Sequence, residues 1–341
     1  MGSGPERPGV SVVLGTYNRR AFLEQAIESV RQNGARTRYE IIVVDGGSTD
    51  GTLGWLVAQP DIVTIVQHNR GEFRGTPITR RSWGYFMNLG FKAAQGQYVL
   101  MMSDDCLLVP GAIDAGVSRF EELERAGQRV AGVAFYYRNW PQETEYYVQR
   151  TFGGKLMVNH GMFRRDALEA VGWAEEDRYI FYKADGDLCL KMWEAGLEIV
   201  DGPGAFVEHY EGANVEVRQT NQDVMTHDRE AYHARWNGIF WDPEGPELRG
   251  RITLAHDDPY QTFLRFPVES AVVIQQRAEI ERLSTELALA HSQQVRLEAL
   301  AADQAGKIQQ LQAERAALRA KYRTLTQHPA VRLLTLKPRR A

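Results

Sequence analysis

Short apolar runs that each end in a polar loop are the feature that most constrains how this chain can fold. Residues 10–14, 41–44, 63–66 and 98–102 form such runs, and stretches with helical spacing lie between several of them. Strands that alternate with helices pair mainly in parallel, in a sheet covered on both faces. The pattern therefore predicts a Rossmann-like α/β fold with a mostly parallel sheet flanked by helices, in which ligands bind beyond the carboxyl ends of the strands.

Composition excludes several classes of protein. The chain has 341 residues, 43% hydrophobic and 25% charged, which excludes disorder throughout, and its net charge of -4 gives no basic field for nucleic acid. Cys106 and Cys189 have no metal-ligand spacing, so we interpret them as packing residues in a reducing compartment. We expect residues 1–9 to be a disordered leader, and they lack the apolar core of a signal peptide. A cytoplasmic protein that does not span a membrane is expected.

Carboxylates at the ends of the predicted strands form the candidate site. Asp104 and Asp105 directly follow Ser103 at the end of the run 98–102. Adjacent carboxylates suit Mg²⁺ or Mn²⁺, although the same pair could cap the next helix. Thr16 and Asp45 stand at the ends of two other predicted strands, so we expect all of these side chains to converge in one crevice.

The middle of the chain has a less regular pattern. We expect irregular β-like structure over residues 130–147 and helices over residues 162–170 and 187–196, the last ending at a glycine. Residues 213–267 are rich in polar residues and show no clean period. We interpret them as an extension packed on the domain, with no role that the sequence reveals.

The C-terminal part has a seven-residue repeat of apolar side chains. A coiled-coil helix is predicted over residues 268–327, and oligomerisation is favoured over a lone solvated helix. The basic tail, residues 328–341, could contact an anionic membrane surface or serve solubility alone. The first seam position holds Val273, Ile280, Leu287, Gln294, Ala301, Ile308, Arg315 and Tyr322, and the second holds Leu283, Ala290, Leu297, Gln304, Leu311, Leu318 and Leu325.

Five motifs occur in the order found in family 2 glycosyltransferases, which the chain closely resembles. They are the strand and loop at 11–19, the strand and loop at 40–52, the segment 88–98, the triplet 103–105, and the run 185–188 with Gly196 and His209 behind it. The resemblance covers residues 10–212 and implies a GT-A fold for them. Ser103, Gly46, Ala184 and Met87 differ from residues frequent in the family, so the donor sugar is not fixed.

The resemblance also implies roles for individual residues. Asp105 would be the principal ligand of Mn²⁺ or Mg²⁺, and His209 would complete the site, although a histidine after an apolar strand can be purely structural. Asp45 would accept a hydrogen bond from an imide N–H such as that of uracil, with a turn or cap aspartate as the alternative, and Asp104 would face the ribose or the metal. The residues assigned to the nucleotide are Thr16, Tyr17, Asn18, Asp45, Gly47, Ser48, Asn88 and Asp104.

Asp185 is the candidate catalytic base of the implied reaction, with Asp187 second because a helix cap would also explain it. The implied activity is metal-dependent, inverting transfer from a UDP- or dTDP-sugar to an acceptor hydroxyl, in the synthesis of a polysaccharide or glycoconjugate. A non-catalytic, nucleotide-sugar-binding subunit of a coiled-coil assembly is the alternative. P-loop and dinucleotide-binding classes are excluded, since their glycine-rich signatures do not occur.

Overall fold

The structure is a computed structural model that describes residues 7–139, 143–210, 224–242, 244–245, 248, 250–254 and 271–327. The chain divides into two compact units, residues 1–280 and residues 281–341. Most of the predicted leader, part of the predicted extension and the whole basic tail lie outside the described residues. The domain boundary at residue 212 stays a prediction.

Strands and helices alternate in the first half of the chain, as the sequence predicts. The strands are β1 (Val10–Thr16), β2 (Tyr39–Asp45), β3 (Ile62–Val66), β4 (Glu72–Phe73), β5 (Thr76–Pro77), β6 (Tyr98–Ser103), β7 (Cys106–Leu108), β8 (Val130–Asn139), β9 (Tyr146–Gln149), β10 (Gly161–Arg164), β11 (Glu198–His209) and β12 (Arg251–Leu254). The helices are α1 (Arg20–Arg31), α2 (Thr52–Val57), α3 (Trp83–Ala93), α4 (Ala112–Arg125), α5 (Arg165–Ala170), α6 (Ala184–Glu194), α7 (Met225–Trp236) and α8 (Ala271–Gln327).

One large sheet organises the fold. Its path through the described residues runs β12-β9-β8-β10-β6-β1-β2-β3, and β11 pairs with both β8 and β7. The four strands β6, β1, β2 and β3 are parallel, whereas β10 joins them to β8 in antiparallel register. The expected α/β class with a mostly parallel central sheet is confirmed.

Both faces of the central strands are covered, which explains their unbroken apolar runs. Along β1, Val13 packs in the cluster on one face, while Val12 and Leu14 pack in the cluster on the other. Helices α3 and α6 contribute to the first cluster, and α1 and α4 contribute chiefly to the second. A strand buried on both faces needs mostly apolar residues along its length, as β1 has apart from Ser11 and Thr16.

Helix α3 approaches β1 closely because residue 90 is a glycine. A Cβ atom at Gly90 would lie 2.4 Å from Cγ1 of Val13, a distance that no side chain could accept without movement. The glycine therefore permits the helix to pack directly on the strand. Close packing of α3 on β1 therefore explains the glycine in the segment 88–98.

Two predictions for the middle of the chain are wrong in part. Residues 162–164, predicted as the start of a helix, belong to strand β10 between β6 and β8, and the helix begins only at Arg165. Residues 130–139, predicted as irregular β-like structure, do form a β-strand, but it is regular and buried along its whole length. A short apolar run followed by a helix has no period that separates the two elements.

Helix α8 carries apolar side chains that are exposed to solvent in the single chain. The two predicted seam positions include Leu283, Leu287, Leu297, Ile308, Leu311, Leu318, Tyr322 and Leu325, whose exposures lie between 49% and 72%. Val273 and Ile280 belong to the same seams, but the structure does not describe their side chains. Among the helices described, none has both the length and the apolarity that a membrane crossing requires.

Candidate active site

The ends of β1 and β6 place two predicted site residues in contact. Gly15 is paired with Ser103 across these strands, and just beyond them Thr16 Oγ1 donates a hydrogen bond to Asp104 Oδ2 at 2.9 Å. Both carboxylates of the 103–105 triplet are at least 95% buried. The alternative interpretation as helix caps is wrong, because α4 begins after Gly111 and has no side-chain cap.

Arg19 is the counter-ion of this acidic pair, a role that the sequence did not reveal. Its Nη1 lies 2.9 Å from Asp104 Oδ1 and 3.0 Å from Asp105 Oδ2. Burial raises the pKa of Asp104 to about 6, against the opposing effect of the Arg19 charge. Burial also disfavours the charged guanidinium, but the two carboxylates outweigh it and hold the pKa of Arg19 above its ordinary value.

His209 reaches the other side of Asp105. Strand β11 pairs with β7 so that His209 stands opposite Cys106, and this register brings His209 Nε2 to 3.8 Å from Asp105 Oδ1. Nδ1 of the same ring lies 2.7 Å from Asn139 Oδ1. Asp105 therefore contacts Arg19 through Oδ2 and faces His209 through Oδ1.

A buried thiol and a second imidazole lie next to this pair. Cys106 Sγ is 3.5 Å from His160 Nδ1, and one ligand atom from each of Cys106, His160 and His209 lies within 4.8 Å of the others. Burial raises the pKa of the Cys106 thiol and lowers that of His160 to about 3. The sequence reading treated Cys106 as packing and did not single out His160, since 54 residues separate them.

Asp45 combines a turn with an open acceptor. Its Oδ1 accepts hydrogen bonds from the backbone N–H groups of Gly47 and Ser48, both at 2.9 Å. Its Oδ2 is buried and has no hydrogen-bond partner within the described residues. The turn alternative thus accounts for one oxygen only, and buried acceptors without partners are rare enough to need an explanation.

The two loops after β1 and β2 are tied together. Asn18 donates its backbone N–H to Ser48 Oγ at 2.8 Å and accepts from Thr49 N at 2.7 Å. Asn18 and Gly47 both have positive φ, and a Cβ at Gly47 would lie 2.4 Å from His68 Nδ1. The guanidinium of Arg70 lies over the ring of Tyr17, 5.3 Å from its centroid.

Asn88 has a different environment from the other residues assigned to the nucleotide. Its Nδ2 donates to Ala174 O at 2.9 Å and to Glu176 Oε1 at 2.7 Å, and its Oδ1 accepts from Ala174 N at 3.0 Å. Both ends of the amide are therefore used to hold the loop before α6. These contacts indicate a structural role.

Asp185 lies at the start of α6 and is linked to the histidine cluster. Its Oδ1 accepts from Gly186 N at 2.8 Å, and its Oδ2 accepts from Asn159 Nδ2 at 3.3 Å. Asn159 directly precedes His160, so one short segment contacts both groups. Burial raises the pKa of Asp185, opposed chiefly by the Gly186 hydrogen bond.

Asp187 is a fully buried anchor inside the protein. Its Oδ1 accepts from Tyr179 Oη at 2.8 Å and from Trp236 Nε1 at 3.0 Å, and Arg235 Nε lies 3.2 Å away. The cap interpretation is wrong, since α6 begins at Ala184 without a side-chain cap. The predicted helix start at residue 187 is three residues late for the same reason.

Helix α7 gives part of the predicted extension a clear role. Asp228, fully buried on α7, accepts the backbone N–H groups of Ile180, Phe181 and Tyr182 at 2.7–2.8 Å. One carboxylate thus fixes the loop that leads into Asp185. Only contacts between distant parts of the chain identify this residue, because its own neighbours in sequence carry no motif.

Comparison with known families agrees with this arrangement. Residues 11–172 match the family model described as glycosyl transferase family 2. This stretch, a little under half of the chain, is similar to family 2 glycosyltransferase domains. Asp104, Asp105 and Arg19 lie within the matched range of this domain, whereas Asp185, His209 and Asp228 lie beyond it.

Several curated proteins resemble the family 2 domain. The GalNAc(5)-diNAcBac-PP-undecaprenol beta-1,3-glucosyltransferase of Campylobacter jejuni is 30% identical over 165 residues, 48% of this chain and 48% of that protein. EpsH of Bacillus subtilis, provisionally named a glycosyltransferase, is 26% identical over 48% of this chain and 49% of its own length. The chain therefore spans about half the length of these relatives.

Solved structures of low identity also align with the chain. The mannosyltransferase PcManGT from Pyrobaculum calidifontis, in complex with GDP-Man and Mn²⁺, is 18% identical, covers 97% of this chain and 84% of its own, and has a TM-score of 0.49. Residues 1–349 of Staphylococcus aureus TarS, in complex with UDP-GlcNAc, are 18% identical, cover 68% of each chain, and have a TM-score of 0.46.

Proposed function

We propose that this protein is a metal-dependent, inverting glycosyltransferase that moves a sugar from a UDP- or dTDP-linked donor to an acceptor hydroxyl. The observation that carries the proposal is a chain of contacts between the candidate residues. His209 lies next to Asp105 of the acidic pair, its ring is 5.4 Å from that of His160, and the neighbouring Asn159 contacts Asp185. A nucleotide pocket, ligands for a cation and a candidate base are the three elements that this reaction needs.

Asp45 supports a donor with an imide nucleobase. Its Oδ2 is a buried acceptor without a protein partner in the described residues, while Oδ1 is held by the turn. The N3–H of uracil or thymine would donate to that oxygen and satisfy it. We assign Thr16, Tyr17, Asn18, Gly47, Ser48 and Asp104 to the surrounding nucleotide pocket, whereas Asn88 holds the loop before α6.

The side chains around Asp105 fit a divalent cation. Two carboxylates and an imidazole supply oxygen and nitrogen ligands, and the 3.8 Å between Asp105 Oδ1 and His209 Nε2 is close to the roughly 3–4 Å that separates two ligands of one ion. Asp105 and His209 would hold Mn²⁺ or Mg²⁺. When bound, such an ion neutralises charge on the diphosphate leaving group. The charge of Arg19 partly neutralises Asp104 and Asp105 on the side of the pair away from His209.

Asp185 is the proposed general base. Burial raises its pKa towards the neutral range in which a base is most effective, and Asn159 orients its carboxylate. The carboxylate takes the proton of the acceptor hydroxyl while the oxygen forms its bond to the anomeric carbon and the diphosphate departs. One in-line displacement inverts the anomeric configuration. Asp187 is the anchor that holds Tyr179 and Trp236.

The direct test is nucleoside diphosphate release from a panel of UDP- and dTDP-sugars with Mn²⁺. Wild type is expected to release the diphosphate with at least one donor, and Asp105→Ala and Asp185→Asn are expected to lose release. Asp177→Asn, the same substitution at an exposed position, is the control and should behave as wild type. Equal release by all four proteins would contradict the assignment.

A nucleotide-sugar-binding subunit of a coiled-coil assembly is the second candidate. The exposed apolar seams of α8 favour this reading, and we propose that a second copy of this chain covers them to give a homo-oligomer. Donor binding without release of diphosphate, in the wild-type protein and with every donor tested, would support the subunit and overturn the transferase.

The setting of the reaction is proposed from the relatives. The Campylobacter jejuni relative is named for glucosyl transfer onto an undecaprenol-linked acceptor, and we propose a comparable role in polysaccharide or glycoconjugate synthesis for this chain. We place the protein in the cytoplasm, with peripheral contact at the inner membrane face through the basic tail. Sedimentation with anionic vesicles, compared between the full chain and a chain ending at residue 327, tests that contact.

A further inference from the structure

Three ligand atoms of mixed chemistry lie close together next to the proposed catalytic centre, and a carboxylate oxygen lies beside two of them. Cys106 Sγ, a ring nitrogen of His160 and a ring nitrogen of His209 lie within 4.8 Å of one another. Asp105 Oδ1 lies 3.9 Å from Cys106 Sγ and 3.8 Å from His209 Nε2. Donor atoms from β7, β11 and the segment before β10 thus meet at the same place.

The separations agree with tetrahedral coordination. Zn–S and Zn–N bonds of about 2.3 and 2.0 Å at tetrahedral angles put the sulfur and nitrogen atoms roughly 3.5 Å apart. Cys106 Sγ and His160 Nδ1 are already 3.5 Å apart. The other pairs among Cys106, His160 and His209 need to close by less than about 1.5 Å, which side-chain rotation can supply.

The orientation of His209 points its other nitrogen at this place. Nδ1 lies 2.7 Å from Asn139 Oδ1, which can only accept, so in neutral His209 the proton is on Nδ1. The lone pair of Nε2 then faces the carboxylate oxygen of Asp105. Two acceptors that face each other are stabilised by a cation between them, and an outer hydrogen bond of this kind is typical of histidines that bind metals.

We infer that Cys106, His160 and His209, with Asp105 as the fourth ligand, form a site for a borderline-soft divalent ion of the Zn²⁺ type. Thiolate and imidazole ligands select such ions over Mg²⁺ and Mn²⁺, which prefer carboxylates and water. Binding breaks the S–H bond of Cys106, releases its proton to solvent and forms a metal–sulfur bond. The oxidation states do not change.

The site shares Asp105 and His209 with the proposed catalytic centre. One imidazole nitrogen cannot bind two ions, so occupancy by Zn²⁺ removes His209 from the catalytic cation. Zn²⁺ is therefore expected to inhibit sugar transfer in competition with Mn²⁺. This consequence rests on the proposed function, whereas binding of the ion itself does not.

Cobalt titration of the full-length, metal-stripped protein tests the site without any sugar nucleotide. About one equivalent of Co²⁺ should produce tetrahedral d–d bands and a thiolate-to-cobalt charge-transfer band, and Zn²⁺ should abolish both. Cys189→Ser is the matched control, since Cys189 is the other buried cysteine, and it should keep the band. Cys106→Ser should lose it.

A wild-type protein without the charge-transfer band overturns the inference, whatever the variants do. Persistence of the band in Cys106→Ser also overturns it. If Cys106→Ser does not fold, His160→Gln is measured in its place, with circular dichroism to verify folding. Its affinity for Zn²⁺ should fall at least about tenfold, and unchanged affinity in the folded variant contradicts the site.

Discussion

Nη1 of Arg19 lies 2.9 Å from Oδ1 of Asp104, and this buried ion pair joins the loop after β1 to the turn after β6. The same nitrogen is 3.0 Å from Asp105 Oδ2. A cation of the protein therefore compensates two carboxylates that would otherwise repel each other in a buried site. The arrangement lets the acidic pair exist before any ion is bound.

Removing Arg19 should destabilise the metal-free protein. Arg19→Ala leaves two adjacent buried carboxylates without a counter-ion, and breaking such a pair costs about 3–5 kcal/mol. Thermal unfolding at neutral pH is the measurement, and Mn²⁺ should restore more stability to the variant than to wild type. Arg36→Ala, which removes an exposed guanidinium beside Asp114, is the control. A variant as stable as wild type would show that the pair is not compensated by Arg19.

Asp45→Asn should change the nucleobase preference. The amide keeps an oxygen for the turn but presents N–H groups where Oδ2 accepts. Affinity for UDP should fall about 10- to 100-fold, because a hydrogen bond to a charged group is worth about 1.5–3 kcal/mol. Calorimetric titration with UDP and CDP should show the ratio of affinities moving towards CDP, since N3 of cytosine accepts. Asp61→Asn, half-exposed on the edge of the same sheet, should retain the wild-type preference.

Asn159 should set the acidic limb of the pH–rate profile. A general base acts only when deprotonated, so kcat/KM should fall as the pH drops through the pKa of Asp185, which burial raises above the ordinary value. The hydrogen bond from Asn159 stabilises the charged carboxylate. Asn159→Ala should therefore raise this pKa further and move the limb to higher pH. A limb that does not move, at unchanged UDP affinity, would remove Asp185 from this role.

Asp228 should act on turnover rather than on donor binding. Asp228→Asn cannot accept all three backbone N–H groups of residues 180–182, so the loop before Asp185 loses its fixed conformation. We expect kcat to fall at least about tenfold, because small displacements of a base are costly, with little change in the Kd for UDP. Hydrogen exchange of residues 178–186 should increase. Glu230→Gln, exposed on the same helix, should change none of these quantities.

The seams of α8 should decide the oligomeric state. Leu297→Asp with Leu311→Asp places two charges on the second seam position, and the mass in solution should fall to that of the monomer. Leu289→Asp is the matched control, because Leu289 is as exposed but lies off both seams. Sedimentation equilibrium provides the measurement. An unchanged mass in the double variant would exclude the coiled coil as the oligomer contact.

The sequence predicted those parts of the fold whose cause is local. Strands β1, β2 and β6 are apolar runs closed by polar loops, and the residues at their ends are the site residues expected there. Strand β10 was not predicted, because a strand of four residues directly before a helix is too short to show a period of its own. The difference comes from its pairing between β6 and β8, which a local pattern does not contain.

The site shows the same division. Asp104, Asp105 and His209 became candidates through ordered motifs, whereas Arg19 and His160 were not singled out and Cys106 was interpreted as a packing residue. Cys106 and His160 lie 54 residues apart and meet only because β7 and the segment before β10 are neighbours in the fold. A ligand set of this kind has no spacing signature, so only the three-dimensional arrangement reveals it.

Because Asp228 anchors residues 180–182, the surroundings of Asp185 can change in sequence independently of the loops that contain Asp45 and Asp104. The carboxylate stands on α7, beyond the residues 11–172 that carry the family match. Substitutions on α7 can therefore reshape the approach to Asp185 while the loops that contain Asp45 and Asp104 stay as they are. If the proposed function is correct, acceptor preference can diverge between relatives that share the residues proposed to bind the donor, and a survey of motif residues alone would miss where that divergence arises.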